Sequence, residues 1–401
     1  MPTRRAVLAS ALRSSSLIAL APTVPGFLAR SAWASGPDRD GRALVVIQMD
    51  GGNDGINTVV PFGDEGYARN RSTLKLSADR LVKLGDGVGL HPAMGDAGKL
   101  LESGRLAVVP GVGYPNPDRS HFRSMAIWQT ARLDPEEHGG PGWLGRGLDA
   151  AGSGQGRAAS LFVGAGTPPL ALRGRRASAS SLERIEDLTL DAGTGGARPG
   201  AEPDAGDDLS AFVRRSSLDA YAASDRLAEL ARDEAGSARY PATGLASRLR
   251  LVARLLKGGL GSRVFYTSQG GYDTHSAQAP THFGLLGELS GAIRAFLDDL
   301  AASGLADRVL VLAFSEFGRR VAENGSAGTD HGAAGPVFLA GPGVRPGLIG
   351  KYPSLTDLDG GDLKVAVDFR RVYASILTGW LGLPAAPALG GTFEPLPLFR
   401  G

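Results

Sequence analysis

The chain has 401 residues, 59 of them glycine and none cysteine, with a formal net charge of +2. Its length suits one large or two ordinary domains. The lack of cysteine excludes disulfides, thiolate metal sites and cysteine nucleophiles, and a near-neutral balance without a polybasic tract argues against nucleic acid or an anionic membrane as partner.

The first 34 residues read as a targeting segment. Thr3-Arg4-Arg5-Ala6-Val7-Leu8 resembles the twin-arginine export signal. The apolar run Leu17–Leu28 follows, broken by Pro22, Pro25 and Gly26, and Ala32-Trp33-Ala34 offers a cleavage site. The run is too short and interrupted for a stable membrane span. The expectation is export through the twin-arginine translocase to the periplasm or beyond, and a mature single domain over 35–401.

Arg42–Met49 is an apolar, β-branched run, the first buried strand. It ends in Asp50-Gly51-Gly52-Asn53-Asp54-Gly55, a turn where two carboxylates need a cation or hydrogen-bond donors if buried. Asp50 reads as a ligand; Asp54 serves the site from behind or simply organises the turn. Tyr67–Lys75 reads as irregular, His91-Pro92 as the cap of a helix through Leu101, and Leu106–Pro110 as a second core strand. Gly111–Arg132 passes from turn chemistry into a helical pattern. Ser120 just before that helix is either a plain N-cap or a nucleophile. The helix amino terminus favours an anionic substrate there, and His121 and Arg123 add donors for its oxygens. Ser124, one turn on, is the alternative nucleophile.

A helix starts at Trp143-Leu144, and Leu161–Val163 and Leu170–Leu172 read as short strands. The stretch around 150–208 reads as a flexible insertion, with Thr194–Asp207 too polar to bury a core. Asp208–Ala235 and Ala242–Gly258 read as helices. Arg263–Ser268 is a third strand, ending in Gly270-Gly271-Tyr272-Asp273-Thr274-His275. Residues i and i+2 of an extended chain point the same way, so Asp273 and His275 can meet one cation. His282 lies at the edge of a helix Leu285–Ala301, outside the ligand set. Val309–Phe314 and Pro336–Ala340 are apolar on both faces and read as buried parallel strands. Between them lie Glu316, Arg319, Asp330 and His331. Asp330 and His331 point apart, so His331 is the ligand and Asp330 orients it or binds something else. The tail Val365–Gly382 reads as one amphipathic helix. Carboxylates and imidazoles gathered at strand ends fit a one- or two-metal hydrolytic centre, for Zn²⁺ or Mn²⁺ rather than Ca²⁺ or Mg²⁺.

Five motifs in order, GGNDGINTVVP, DRSHFRSMAIWQT, GGYDTH, SEFGR and GTDHG, behind a twin-arginine leader, resemble the exported bacterial domain-of-unknown-function family 1501 over almost the whole mature chain. That family is similar to a distant branch of the alkaline phosphatase and sulfatase superfamily. The resemblance implies a three-layer α/β/α sandwich with a mostly parallel central sheet. It implies a metal set of Asp50, Asp273, His275, Glu316 and His331, with Ser120 in the nucleophile's place; Asp54, Asp330 and Arg319 read, from their positions in the chain, as supporting residues around it. Two departures stand out: Glu316 is where that superfamily has Asp, and Phe317 is where a second-metal His is expected. No C-x-P-S-R run is present, so formylglycine chemistry is not implied.

Two readings follow. One is an exported metal-dependent hydrolase of phosphate or sulfate esters, small or polymer-linked, using a serine nucleophile at the carboxyl edge of the sheet. The other is an exported binding or assembly protein on a catalytically degenerate hydrolase scaffold.

Overall fold

The computed structural model describes residues 41–85, 87–151, 160–177, 179–183, 239–259 and 261–401. The export leader 1–34, the loop 194–207, the helix expected over 208–235 and much of the 150–208 insertion lie outside the described residues.

One large sheet organises the rest. Its main strands are β1 (Ala43–Met49), β2 (Leu106–Gly113), β3 (Ser160–Val163), β4 (Ala179–Leu182), β5 (Val264–Gln269), β6 (Val309–Phe314) and β7 (Gly335–Ala340). The order across the sheet is Gly347–Leu348, β2, β7, β6, β1, β5, β3, β4, with Val367–Asp368 also paired to β2. β1 is central, parallel to β5 with Val45 opposite Phe265 and to β6 with Val45 opposite Val311.

Every residue of β1 and of β6 is buried. Their apolar side chains alternate between two cores. Val45, Ile47 and Met49 face helices α1 (Gly95–Glu102), α4 (Gly244–Lys257) and α5 (Gln278–Ala302). Leu44 and Val46 face α2 (His121–Thr130), α3 (Trp143–Ala150) and α6 (Phe369–Ser375). Burial on both faces is why these strands read as continuous apolar runs. The three-layer α/β/α sandwich expected from the sequence is the observed architecture.

One expectation is overturned. β7 is not parallel to its neighbours but antiparallel to both β6 and β2. A buried strand is apolar on both faces in either direction, so composition alone does not reveal its sense. The reversal matters for the site. His331 precedes β7, and in a parallel strand it would lie at the opposite edge from the ends of β1, β5 and β6. Running antiparallel, β7 begins at the edge where the others finish.

Other differences are local. Glu65–Asn70 is a helix capped by the Asp64 side chain, not an irregular segment. Leu170–Leu172 is a turn of 3₁₀ helix rather than a strand. α5 begins at Gln278, seven residues before the expected Leu285. The tail helix begins at Phe369, where Asp368 caps it, and continues as a π-helical turn over Ile376–Trp380. Among the described residues no helix is long and apolar enough to cross a membrane.

Candidate metal centre

Four segments converge at the carboxyl edge of the parallel strands. The turn after β1 brings Asp50 and Gly51, the loop after β5 brings Asp273 and His275, and the loop after β6 brings Glu316 and Arg319. His331 arrives on the approach to β7, and His121 stands in the first turn of α2. Gly51 has φ +117°, and any side chain there would collide with the Asp273 amide. This close approach puts the β1 and β5 loops side by side.

The centre is made of one carboxylate oxygen and three imidazoles. Asp273 Oδ1 is 3.0 Å from His275 Nε2, 3.1 Å from His331 Nε2 and 3.5 Å from His121 Nε2. The two nitrogens of His275 and His331 are 3.0 Å apart. His121, Asp273 and His331 each offer a ligand atom within 4.8 Å of the others. Ligands about 2.0–2.2 Å from a tetrahedral Zn²⁺ stand roughly 3.3–3.5 Å apart, so this spacing suits a small cation.

The other ring nitrogens decide the chemistry. His121 Nδ1 lies 2.7 Å from Glu316 Oε1, His331 Nδ1 2.8 Å from the Arg119 carbonyl, and His275 Nδ1 3.2 Å from Asp330 Oδ1. Each partner is an acceptor, so each Nδ1 carries the proton. In the neutral rings every Nε2 then presents a lone pair. Three lone pairs and a carboxylate oxygen thus face one another. His121 Nε2 is buried without a hydrogen-bond partner. An imidazole held from behind by a carboxylate or carbonyl is the usual support of a metal ligand. These residues fit a divalent cation.

The charges are tuned accordingly. Burial works to raise the Asp273 carboxyl, but the Arg319 guanidinium, which donates to it and adds its positive charge, outweighs that cost and holds it at about 2. The Glu316 hydrogen bond raises the His121 imidazole above its ordinary range, against the cost of burial. Burial also raises the Asp50 carboxyl, and the nearby Glu316 carboxylate adds to this.

The expected site residues separate into distinct positions. Asp273, His275 and His331 come together as anticipated, and His121, expected only as a donor to substrate, joins them as a further candidate ligand. Glu316 stands behind His121: its Oε1 accepts from His121 and from Gly51 N at 3.0 Å, and its Oε2 accepts from Ser315 Oγ at 2.9 Å. Asp50 accepts from Gln48 and lines a cleft of about 460 Å³ with Gly51, His121, Phe122, Met125, Gln129, Leu170, Asp273 and Glu316. Asp330 orients His275, not its neighbour His331. Phe317 is buried, its ring 4.9 Å from His121 and 4.8 Å from His331, and forms a wall against both imidazoles.

Asp54 is not part of the centre. It is fully buried and bound by both terminal nitrogens of Arg71, at 2.5 and 3.0 Å, and by Gln278 Nε2 at 2.6 Å. Burial opposes its charge, yet Arg71 holds the carboxyl at about 2. His282 lies in the same buried network, with Nε2 3.0 Å from Asn53 Oδ1 and 3.2 Å from Thr58 Oγ1.

Ser120 is the N-cap residue of α2, but its side chain makes no capping hydrogen bond. Its neighbours in the chain are both tied to the centre, Arg119 through its carbonyl and His121 through its ring. Ser124 is fully buried; it donates to the Glu316 carbonyl at 2.6 Å and accepts from Tyr114 Oη at 2.8 Å, which removes it as a nucleophile. Arg123 is exposed, with only a 3.5 Å contact to Asp118, and does not reach the cluster.

Fold and site together define a three-layer α/β protein with a cluster of three histidines and an aspartate at the carboxyl edge of its sheet, of which His121, Asp273 and His331 are grouped closely enough to hold a metal ion. The chain belongs to the family described as protein of unknown function (DUF1501), whose model matches residues 41–377. Among curated proteins no match is found. Solved structures of similar course include a sulfatase from Pseudoalteromonas sp., at 11% identity, covering 93% of this chain and 76% of that one with a TM-score of 0.39. A phosphonate monoester hydrolase from Silicibacter pomeroyi is 12% identical over 88% of this chain and 75% of that one, TM-score 0.40. A protein in the alkaline phosphatase superfamily from Vibrio parahaemolyticus is 10% identical over 87% and 69%, TM-score 0.38. At these values the likenesses carry no argument about activity.

Proposed function

We propose that this chain is an exported hydrolase of phosphate or sulfate esters that depends on a divalent cation held by His121, Asp273, His275 and His331. The observation that carries the reading is the convergence of three imidazole lone pairs on one carboxylate oxygen, each ring fixed by an acceptor behind it. When bound, such a cation supplies charge neutralisation and polarises an anionic ester.

The remaining chemistry falls to the chain. The amino terminus of α2, a ten-residue helix, offers backbone N–H groups to the ester's oxygens. Ser120 Oγ, free of a capping bond, attacks the phosphoryl or sulfuryl centre as the bond to the ester alcohol breaks, the serine proton passes to the departing alcohol oxygen, and water then hydrolyses the seryl ester to release the anion and restore Ser120. Glu316 keeps His121 in its ligand tautomer, and Phe317 excludes water from behind the rings. The twin-arginine leader supports a periplasmic or secreted location and passage through the translocase. Zn²⁺ suits a set dominated by imidazoles better than Mn²⁺, which favours oxygen ligands.

The test is turnover of an aryl phosphate and an aryl sulfate by the full chain loaded with Zn²⁺ or Mn²⁺. Ser120→Ala is expected to remove turnover and leave ion binding intact. Activity surviving that change reduces Ser120 to a cap. A protein that binds the ion but turns over neither ester is the outcome that favours a binding role on a degenerate hydrolase scaffold.

A further inference from the structure

We propose that the Arg319 guanidinium takes the place of a second cation, so that the centre holds a single divalent ion per chain. The inference rests on the metal-centre reading above and goes beyond it.

Arg319 is one of the largest fully buried side chains, 1% exposed. Its Nε donates to the Gly52 carbonyl at 2.5 Å and its Nη1 to the Thr329 carbonyl at 2.8 Å. Its Nη2 is shared among the carbonyls of Gly51 and Tyr272 and Asp273 Oδ1, the last at 2.7 Å. Nη1 also lies 3.4 Å from His275 Nε2. The guanidinium therefore gathers backbone oxygens from the β1, β5 and β6–β7 loops and touches two of the four candidate ligands. Ringed by oxygens in this way, it does what a metal ion does at such a junction, but its charge is permanent. A second dication placed beside it would meet a fixed positive charge in a poorly solvated site.

The groups that a second ion needs are already engaged. Glu316 Oε1 accepts from His121 and the Gly51 amide, and Oε2 lies 2.9 Å from Ser315 Oγ, whose one proton is shared with the Met49 carbonyl at 2.7 Å. Asp50 is bonded to Gln48. Phe317 supplies no ligand atom, and its ring closes the space next to His121. Among the described residues, Asp273, His275 and His331 with His121 form one ligand set, and Asp50 is left with no imidazole of its own.

The inference predicts a stoichiometry and a sign. The full chain, loaded with excess Zn²⁺ or Mn²⁺ and desalted, is expected to carry one equivalent by native mass spectrometry and elemental analysis. Two equivalents overturn the inference while leaving a hydrolase reading standing. No bound ion at all removes the reading beneath it, and the inference with it. Arg319→Gln, which keeps donors but loses the charge, is expected to tighten binding of the single ion by about tenfold or more, or to admit a second equivalent, in titration calorimetry. Arg319→Lys is expected to stay within a few-fold of wild type with one equivalent. A role confined to tying loops together predicts the opposite, that a folded Arg319→Gln variant binds the ion more weakly or unchanged, and that result overturns the proposal. Circular dichroism establishes whether the variant folds; if it does not, the wild-type stoichiometry decides.

Discussion

Replacing Arg71 by methionine isolates a charge pair that lies outside the metal centre. Arg71 and Asp54 are both fully buried, and the guanidinium also donates to the carbonyls of Val321 at 2.7 Å and Arg320 at 2.9 Å. In the intact protein the Asp54 carboxyl is held at about 2, below the ordinary 3.8, because Arg71 outweighs the cost of burial. A folded value below the unfolded one gives stability that is complete above the ordinary value and is lost as pH falls through 3.8 towards 2. The shift corresponds to about 2–3 kcal/mol. Arg71→Met leaves a carboxylate buried without its cation and two carbonyls without a donor. The expected cost at pH 7 is about 3–5 kcal/mol. The sign of the pH dependence then reverses: the stranded carboxyl now titrates above its unfolded value, so protonation favours the folded variant. Urea unfolding at pH 7, 6 and 5 reads this directly. The gap between wild type and variant is expected to be widest at pH 7 and to narrow at pH 5. A gap below about 1 kcal/mol, or one that is constant with pH, would refute the account of Asp54 as a buried ion held charged by Arg71.

Further outcomes follow from the same geometry. Glu316→Gln removes the charge behind His121 and is expected to weaken ion binding about 10- to 100-fold without unfolding the chain, as titration calorimetry would show; unchanged affinity would detach Glu316 from the centre. His331→Ala is expected to abolish stable ion retention, and chelation of the wild type to lower its melting temperature, since a ligand at 100 times its dissociation constant adds about 2.7 kcal/mol. His91 and His282 are buried with ring centroids 5.6 Å apart, and burial lowers both to about 4. Their folded values lie below the ordinary 6.5, so the stability they contribute is complete above pH 6.5 and drains away as pH falls towards 4. His91 Nδ1 caps the Pro92–Met94 turn by accepting from Ala93 N; His91→Asn keeps a capping group and is expected to flatten the acid limb of the stability curve, whereas an unaltered slope would count against burial as the cause.

Much of this protein was legible along the chain because strand ends are marked twice. An apolar run announces a buried strand, and a Gly-rich polar cluster directly after it announces the edge of the sheet. Asp50, Asp273, His275 and Glu316 were each found in this way, and all stand at one edge. What escaped was the grouping. His121 lies one residue beyond a plausible nucleophile, and local sequence presents it as a donor to substrate. Only the packing of α2 against the β6 end turns its Nε2 towards Asp273. Asp54 shows the converse, a carboxylate in the same turn as Asp50 whose partner Arg71 lies 17 residues on in a segment that read as irregular.

The sequence by itself determined the buried strands, the edge that carries the polar clusters and most of the side chains that meet there, because period and turn chemistry are local properties of a chain, while the three-layer architecture was implied by the family resemblance of its motifs. The tertiary structure alone decided three things: the reversed sense of β7 that brings His331 to the site, the acceptor on each Nδ1 that turns three Nε2 atoms towards Asp273, and the burial of Arg319 among the loop carbonyls. Each depends on contacts between segments far apart in the chain, and pairing direction, tautomer and charge compensation are set by such contacts rather than by neighbours in sequence.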